Sequence, residues 1–236
     1  MNIVLFSATD RRSDTLVELR DQRLLHLRDV LQAKEGDELR VGEIDGQMGV
    51  GRLVSLQTDR AQLEVILRQT PPQKLPIVVV MALPRPKMLR RILRSIAEFG
   101  VGELHLIHSF RVEKSYWQSP VLRPDTLRNF MLQGLSQGVD TVLPTVTCHR
   151  RFKPFVEDRL PGIIGSSDAL VAHPYGAVAD PVPTQKRTIA VLGPEGGFIP
   201  YEVAALEAVG CRRISLGERV LRVENAVSAL LGRLVL

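Results

Sequence analysis

Three prolines fall within six positions, at Pro71, Pro72 and Pro76. That cluster constrains the fold more than any other feature of the chain. Proline fixes φ and lacks an amide donor, so neither a helix nor a central strand runs through such a stretch. The 236 residues therefore divide into a first segment, 1–70, a connection, 71–76, and a second segment, 77–236. The first reads as mostly β. Residues 2–6 form a strand, and Leu24, Leu25, Leu27, Val30 and Leu31 place a short helix over 21–32. After a turn at Gly36-Asp37, short strands follow at 39–41, 48–56 and 63–67. Several short strands and one helix in so few residues predict a small β-barrel. The glycines of Gly46-Gln47-Met48-Gly49-Val50-Gly51 lie between two strands rather than before a helix, so they read as a hairpin and not as a nucleotide loop.

The second segment alternates strands and helices. Strands are predicted at 77–83, 103–108, 145–148, 169–172, 188–192 and 212–216. Helices are predicted at 87–99 (ended by Gly100), 125–137, 201–209 and 225–234. Leu127, Phe130, Met131 and Leu135 form the apolar stripe of the second helix. This alternation predicts an α/β domain, a mostly parallel sheet with helices on both faces. The last helix carries Val227, Leu230, Leu231 and Leu234 on one stripe and runs into Leu234-Val235-Leu236, an apolar end to be buried within the fold or against a second subunit.

Composition narrows the class. Hydrophobic residues are 44% and charged residues 24%, which excludes disordered and fibrous chains. No apolar run reaches the length of a membrane span, and Met1–Phe6 lacks the basic segment of a secretory signal. Cys148 and Cys211 stand far apart with no metal-ligand spacing, so neither a disulfide framework nor a zinc site is expected and a reducing cytoplasm fits. The net charge of +5 suits an anionic partner. Much of it is placed on the helix at 87–99. Leu89, Ile92, Leu93 and Ile96 turn to the core, whereas Arg85, Lys87, Arg90, Arg91 and Arg94 are uninterrupted by any acidic residue. Phosphate contact explains such a face, and a merely solvated face remains the alternative.

Three loops carry the candidate chemistry, each following a strand. In Val191-Leu192-Gly193-Pro194-Glu195-Gly196-Gly197-Phe198, a buried strand ends in three glycines around one carboxylate. Ligands of open α/β sheets bind beyond strand carboxyl ends, where glycines let backbone approach them. The pattern is neither a dinucleotide nor an NTP loop. The second loop runs Ser215-Leu216-Gly217-Glu218-Arg219-Val220-Leu221-Arg222-Val223-Glu224-Asn225. The third is Leu170-Val171-Ala172-His173-Pro174, where a histidine closes a strand.

Together these loops resemble those of the SPOUT (α/β-knot) methyltransferases, and in particular the bacterial family that methylates N3 of a uridine in 16S ribosomal RNA of the small subunit. The resemblance covers nearly the whole chain. His26-Leu27-Arg28-Asp29-Val30-Leu31 and Gly36-Asp37 resemble that family's N-terminal PUA-like RNA-binding barrel, and Glu98-Phe99-Gly100-Val101 its Glu-Leu-Gly-Val. His173-Pro174, Leu192-Gly193-Pro194-Glu195-Gly196-Gly197 and Leu216-Gly217-x-Arg219-Val220-Leu221-Arg222-x-Glu224 resemble its cofactor loops. The chain departs from the family at Phe110 (usually Glu, within Ser-Glu-Arg), at Ser95 (commonly Lys), at Ser136 to Asp140 (Glu-Gln-x-x-Arg), and at Asn225 (Thr).

The resemblance implies a deep trefoil knot near the C-terminus, a homodimer formed through the knotted domain and giving the apolar terminal helix a partner, and S-adenosyl-L-methionine as cofactor. Val171, Ala172, His173, Leu192, Gly193, Pro194, Gly196, Gly197, Leu216, Gly217, Val220, Leu221 and Asn225 would hold the cofactor. Arg85, Lys87, Arg90, Arg91, Arg94 and Arg111 would contact RNA. Arg222 or Arg219 would stabilise the charge that develops on the uracil oxygens, with Glu195 or Glu224 as general base. No metal is implied. Two other readings stay open: a different SPOUT methylation, such as 2′-O-ribose, and a non-catalytic RNA-binding protein of ribosome assembly.

Overall fold

The computed structural model describes residues 2–177, 183 and 185–235. The chain forms two compact units, Met1–Gln73 with Leu132–Leu143, and Lys74–Met131 with Pro144–Leu236.

In the first unit, β1 (Val4–Phe6), β2 (Leu16–Leu19), β3 (Glu38–Glu43), β4 (Met48–Leu56) and β5 (Ala61–Gln69) make one sheet of order β1-β3-β4-β5-β2. Helix α1 (Gln22–Leu25) runs on as a π turn over His26–Val30. Alternation places Leu53, Leu63 and Val65 inside with Phe6, Val17, Leu19 and Leu27. The sheet is open, with β1 and β2 as its edges and no ladder recorded between them. Strand β2 was not expected. Its Glu18 is buried on the sheet and held by Arg12 at 2.9 Å, Arg20 at 2.9 Å and Gln62 at 3.1 Å. The segment 132–143 is stitched to this unit by backbone. Ser136 O accepts from Asn2 N at 2.8 Å, and Thr141 Oγ1 donates to Gly46 O at 2.6 Å.

The second unit holds a wholly parallel six-stranded sheet. Its strands are β6 (Leu75–Ala82), β7 (Val101–Ile107), β8 (Thr145–His149), β9 (Asp168–Ala172), β10 (Thr188–Leu192) and β11 (Arg212–Ile214), in the order β11-β9-β10-β6-β7-β8. β6 and β10 are apolar on both faces, as central parallel strands must be, but β6 starts inside the expected connection: Pro76 is its second residue, tolerated where the pairing with β7 shifts register between Leu75 and Val78. The helices are α2 (Pro86–Glu98), α3 (Pro124–Gly138, whose residues from Leu132 onward belong to the first unit), α4 (Phe152–Pro154), α5 (Leu160–Ile164), α6 (Pro200–Ala208) and α7 (Val223–Val235). Helix α2 buries Leu89, Ile92, Leu93 and Ile96, each worth about 2 kcal/mol of transfer free energy. The helical stretch 152–164 lies where the sequence predicts no element, and it carries Pro154, Pro161 and Gly162, residues that weaken a helical pattern. The terminal stripe Val227, Leu230, Leu231 and Leu234 is buried inside its own unit, where α7 meets α2 and β10. The stripe thus finds its cover within the fold and needs no second subunit; Leu236 lies outside the described residues.

Candidate active site

The three sequence-predicted loops follow the adjacent strands β9, β10 and β11, so parallel pairing delivers all of them to one edge of the sheet. The chain leaves β6 toward β7 and leaves β10 the opposite way toward β11. β6 and β10 therefore flank a topological switch point, the place where an open α/β sheet offers a crevice. A cavity of about 730 Å³ opens there, within the usual size of small-molecule sites.

Most of the predicted residues line it. Ala172 and His173 come from the first loop, and Leu192 through Gly197 from the second. The third supplies Leu216, Gly217, Arg219, Val220, Leu221, Arg222 and Glu224, and Arg85 enters from the end of β6. Val171 stands one residue back, fully buried in β9 between Val191 and Arg213. Asn225 is exposed on α7, and it is its neighbours Glu224 and Ala226 that face the cavity. Sequence reasoning missed Met88, Tyr175 and Ala226, and it placed Pro174, Phe198 and Val223 in the loops without giving them a role. Phe198 was signalled only by its place after Gly196-Gly197.

Local chemistry shapes each loop. Gly197 has φ 72° and Gly217 φ 119°, conformations that a side chain would strain. Ser215 Oγ accepts the Gly217 N–H at 3.2 Å and tightens the third loop. His173 N donates to Ile214 O at 2.9 Å, prolonging the β9–β11 pairing, while its Nδ1 stays near Tyr175 of its own loop.

Two carboxylates bind loops together. Glu195 Oε1 accepts the Arg85 amide at 2.9 Å, joining the ends of β10 and β6 across the switch point. Glu202, only 2% exposed, accepts the Ile199 amide at 3.1 Å and so caps α6. Its other oxygen accepts the Phe110 amide at 2.7 Å, reaching the loop after β7. Arg111, next in that loop, donates to the Gly196 carbonyl.

The cavity wall also carries free cations. No carboxylate partner is recorded for Arg219 or Arg222 among the described residues, and both are exposed. Glu224 is half-buried in the first turn of α7. Beside the cavity, α2 presents Arg85, Lys87, Arg90 and Arg91 to solvent, while Arg90 and Arg94 lie 5.8 and 4.9 Å from the Phe130 ring centre. Cys211 is buried, and burial together with the Glu207 carboxylate pushes its thiol up to about 12, so no thiolate nucleophile arises there. Among the described residues, no cluster of metal-binding side chains occurs and no helix is long and apolar enough to cross a membrane.

Residues 71–235 match a family model described as RNA methyltransferase domain. Ribosomal RNA small subunit methyltransferase E of Treponema pallidum is 29% identical over 97% of this chain and 88% of its own length. The protein of that name from Synechocystis sp. is 26% identical over 98% of this chain and 76% of its own. Among solved structures, the ribosomal RNA small subunit methyltransferase E of Neisseria gonorrhoeae, bound to S-adenosyl methionine, aligns with a TM-score of 0.76 at 19% identity, covering 98% of this chain and 95% of that one. A methyltransferase of Legionella pneumophila in complex with SAM aligns at 0.73, also at 19% identity, with the same coverage. These structural likenesses establish the α/β fold and its parallel sheet.

Proposed function

Because the chain belongs to the RNA methyltransferase domain family, we propose that it methylates 16S ribosomal RNA of the small subunit, using S-adenosyl-L-methionine, at N3 of a uridine. The observation that carries this reading is the cavity at the switch point, walled by three loops and flanked by unpaired arginines. Its relatives of full or nearly full length, all named for small-subunit rRNA methylation, support the substrate. The cytoplasm, where ribosomes assemble, is the compartment that goes with it.

The residues present fit the cofactor. Leu192, Phe198, Val220 and Leu221 supply apolar wall for an adenine, and the loops bring backbone donors and acceptors close. S-adenosyl-L-methionine, when bound, supplies an electrophilic methyl group that requires no metal. The protein's own part is to hold the base and manage charge. A uridine N3 carries a proton that is normally paired, so the base must be unpaired or flipped out, at about a few kcal/mol. As N3 loses that proton, negative charge spreads to O2 and O4, and Arg222 or Arg219 hydrogen-bonds it; that both line the cavity supports this role. Glu195 is already engaged with the Arg85 amide and serves to order the two loops. That leaves Glu224, half-buried on the cavity wall, as the general base.

The finer architecture belongs to the same proposal. The first segment, 1–70, acts as a PUA-like RNA-binding domain and the second, 77–236, as a SPOUT domain with a trefoil knot. The strand order β11-β9-β10-β6, in which the chain doubles back past β9 after leaving β10, supports the knot. A homodimer through this unit is supported by apolar side chains left open beside the cavity, Val220 at 73% exposure above all.

The test is nucleoside mapping of 16S rRNA from cells with and without the protein, combined with Arg222→Ala. A base-methylated uridine that disappears with the protein is the expected result, and a ribose-methylated nucleoside overturns the N3 assignment. Arg222→Ala is expected to lower turnover about 100- to 1000-fold while cofactor binding, measured by calorimetry, persists. Near-normal turnover removes Arg222 from the mechanism, and a wild-type protein that does not bind the cofactor is a non-catalytic RNA-binding protein.

A further inference from the structure

The carboxyl edge of the parallel sheet has two halves. β11, β9 and β10 end in the cavity loops. β7 and β8 end in a different kind of sequence, Ser109-Phe110-Arg111 and Arg150-Arg151-Phe152. Phe110 is 75% exposed. A single open apolar side chain is ordinary, but the backbone beneath this one is tightly held. Its amide is bonded to buried Glu202, Ser109 before it is fully buried, and Arg111 after it donates to Gly196 of the cavity wall. The loop is thus fastened to the cavity while the ring projects from it.

The neighbouring strand adds charge. Arg150 and Arg151 are both exposed, and no carboxylate partner is recorded for either among the described residues. The Arg150 guanidinium lies 5.6 Å from the Trp117 ring centre, and Trp117 is itself fixed by its indole N–H, which donates to His108 Nδ1 at 2.9 Å. Phe152 sits 6.1 Å, ring centre to ring centre, from Phe198, which lines the cavity. An open aromatic ring and unpaired guanidinium groups, arranged beside a pocket, are what single-stranded nucleic acid binds: every base has a face to stack, and every linkage a phosphate.

We propose that the carboxyl ends of β7 and β8 form a binding site for a single-stranded stretch of the RNA substrate. A base beside the target stacks on the Phe110 ring, and Arg150 and Arg151 contact the adjoining phosphates. The proposal rests on the methyltransferase reading and places the RNA that enters its cavity.

The experiment uses the full chain. Affinity for a short single-stranded oligouridylate is measured by fluorescence anisotropy across a salt series, together with cofactor affinity by calorimetry and the RNA dependence of methyl transfer. Phe110→Ala is expected to weaken oligouridylate binding by about 5- to 150-fold with little change in salt slope. It raises the KM for RNA more than it lowers kcat and leaves cofactor affinity unchanged, whereas Phe110→Trp restores binding. Arg150→Gln with Arg151→Gln is expected to lower the salt slope by about 1.4, two phosphates at about 0.7 each. Wild-type affinity in Phe110→Ala, or no recovery in Phe110→Trp, overturns the stacking platform, and an unchanged slope overturns the phosphate contacts. If the wild-type protein transfers no methyl group, the activity assigned above fails, and the oligouridylate comparison still decides this site.

Discussion

Two stretches of the chain carry five basic residues each and use them in opposite ways. Between positions 11 and 28 stand Arg11, Arg12, Arg20, Arg23 and Arg28. Every one is paired with a carboxylate: Arg11 with Glu43 at 2.6 Å, Arg12 and Arg20 with Glu18 at 2.9 Å, Arg23 with Asp10 at 2.8 Å, and Arg28 with Asp29 at 2.7 Å. Between 85 and 94 stand Arg85, Lys87, Arg90, Arg91 and Arg94. For the first four no carboxylate partner is recorded among the described residues, and Arg94 lies with Arg90 on the Phe130 ring. The first set cross-links a small unit internally. The first four of the second set are held ready for an anion from outside. A formal charge of +5 does not distinguish them; the company each arginine keeps does.

The comparison breaks most visibly on the unpaired side. Replacing Lys87, Arg90 and Arg91 together by Gln is expected to reduce RNA affinity strongly and to lower the salt slope by about 2 to 3, one counterion-release increment per lost phosphate contact, with thermal stability nearly unchanged. Equal affinity at all salt concentrations returns this helix face to plain solvation. A smaller effect, on stability rather than binding, is expected on the paired side. Arg23→Gln leaves Asp10 and Asp21 without their guanidinium and costs about 1–2 kcal/mol by denaturant titration at neutral pH, the partial exposure of the pair keeping it low. Burial alone raises the Asp10 carboxyl, but hydrogen bonds from Arg23 and Ser7 outweigh it and hold the group below its ordinary value. A lowered carboxyl contributes stability above its unfolded value and loses it as pH falls through the folded one. The gap between wild type and Arg23→Gln is therefore expected to close on acidification. A gap that widens contradicts the pairing, and a loss of RNA affinity in Arg23→Gln makes the two stretches alike.

Legibility followed the range of the forces involved. The α2 stripe of Leu89, Ile92, Leu93 and Ile96 and the β-branched run of β6 could be read from spacing, because burial of a regular element repeats along the chain. The glycine loops could be read because strained backbone selects glycine. Strand β2 could not, since Glu18 interrupts its apolar pattern and is buried only through donors as distant as Gln62. The helical stretch 152–164 was hidden by prolines at tolerated positions, Pro161 among them in the first turn of α5. At the site, the wall residues were legible but the fastenings were not. Arg85 to Glu195 and Phe110 to Glu202 join positions 110 and 92 residues apart, and a capping glutamate looks the same whether its spare oxygen is used or not.

That spare oxygen sets two clocks within one residue. The Phe110 ring stands in solvent and changes rotamer on the picosecond-to-nanosecond scale of exposed side chains. Its amide proton is held by a buried carboxylate, so it exchanges with solvent only when the first turn of α6 lets go. A ligand seated on the ring slows the fast clock, and only one that loosens α6 advances the slow one.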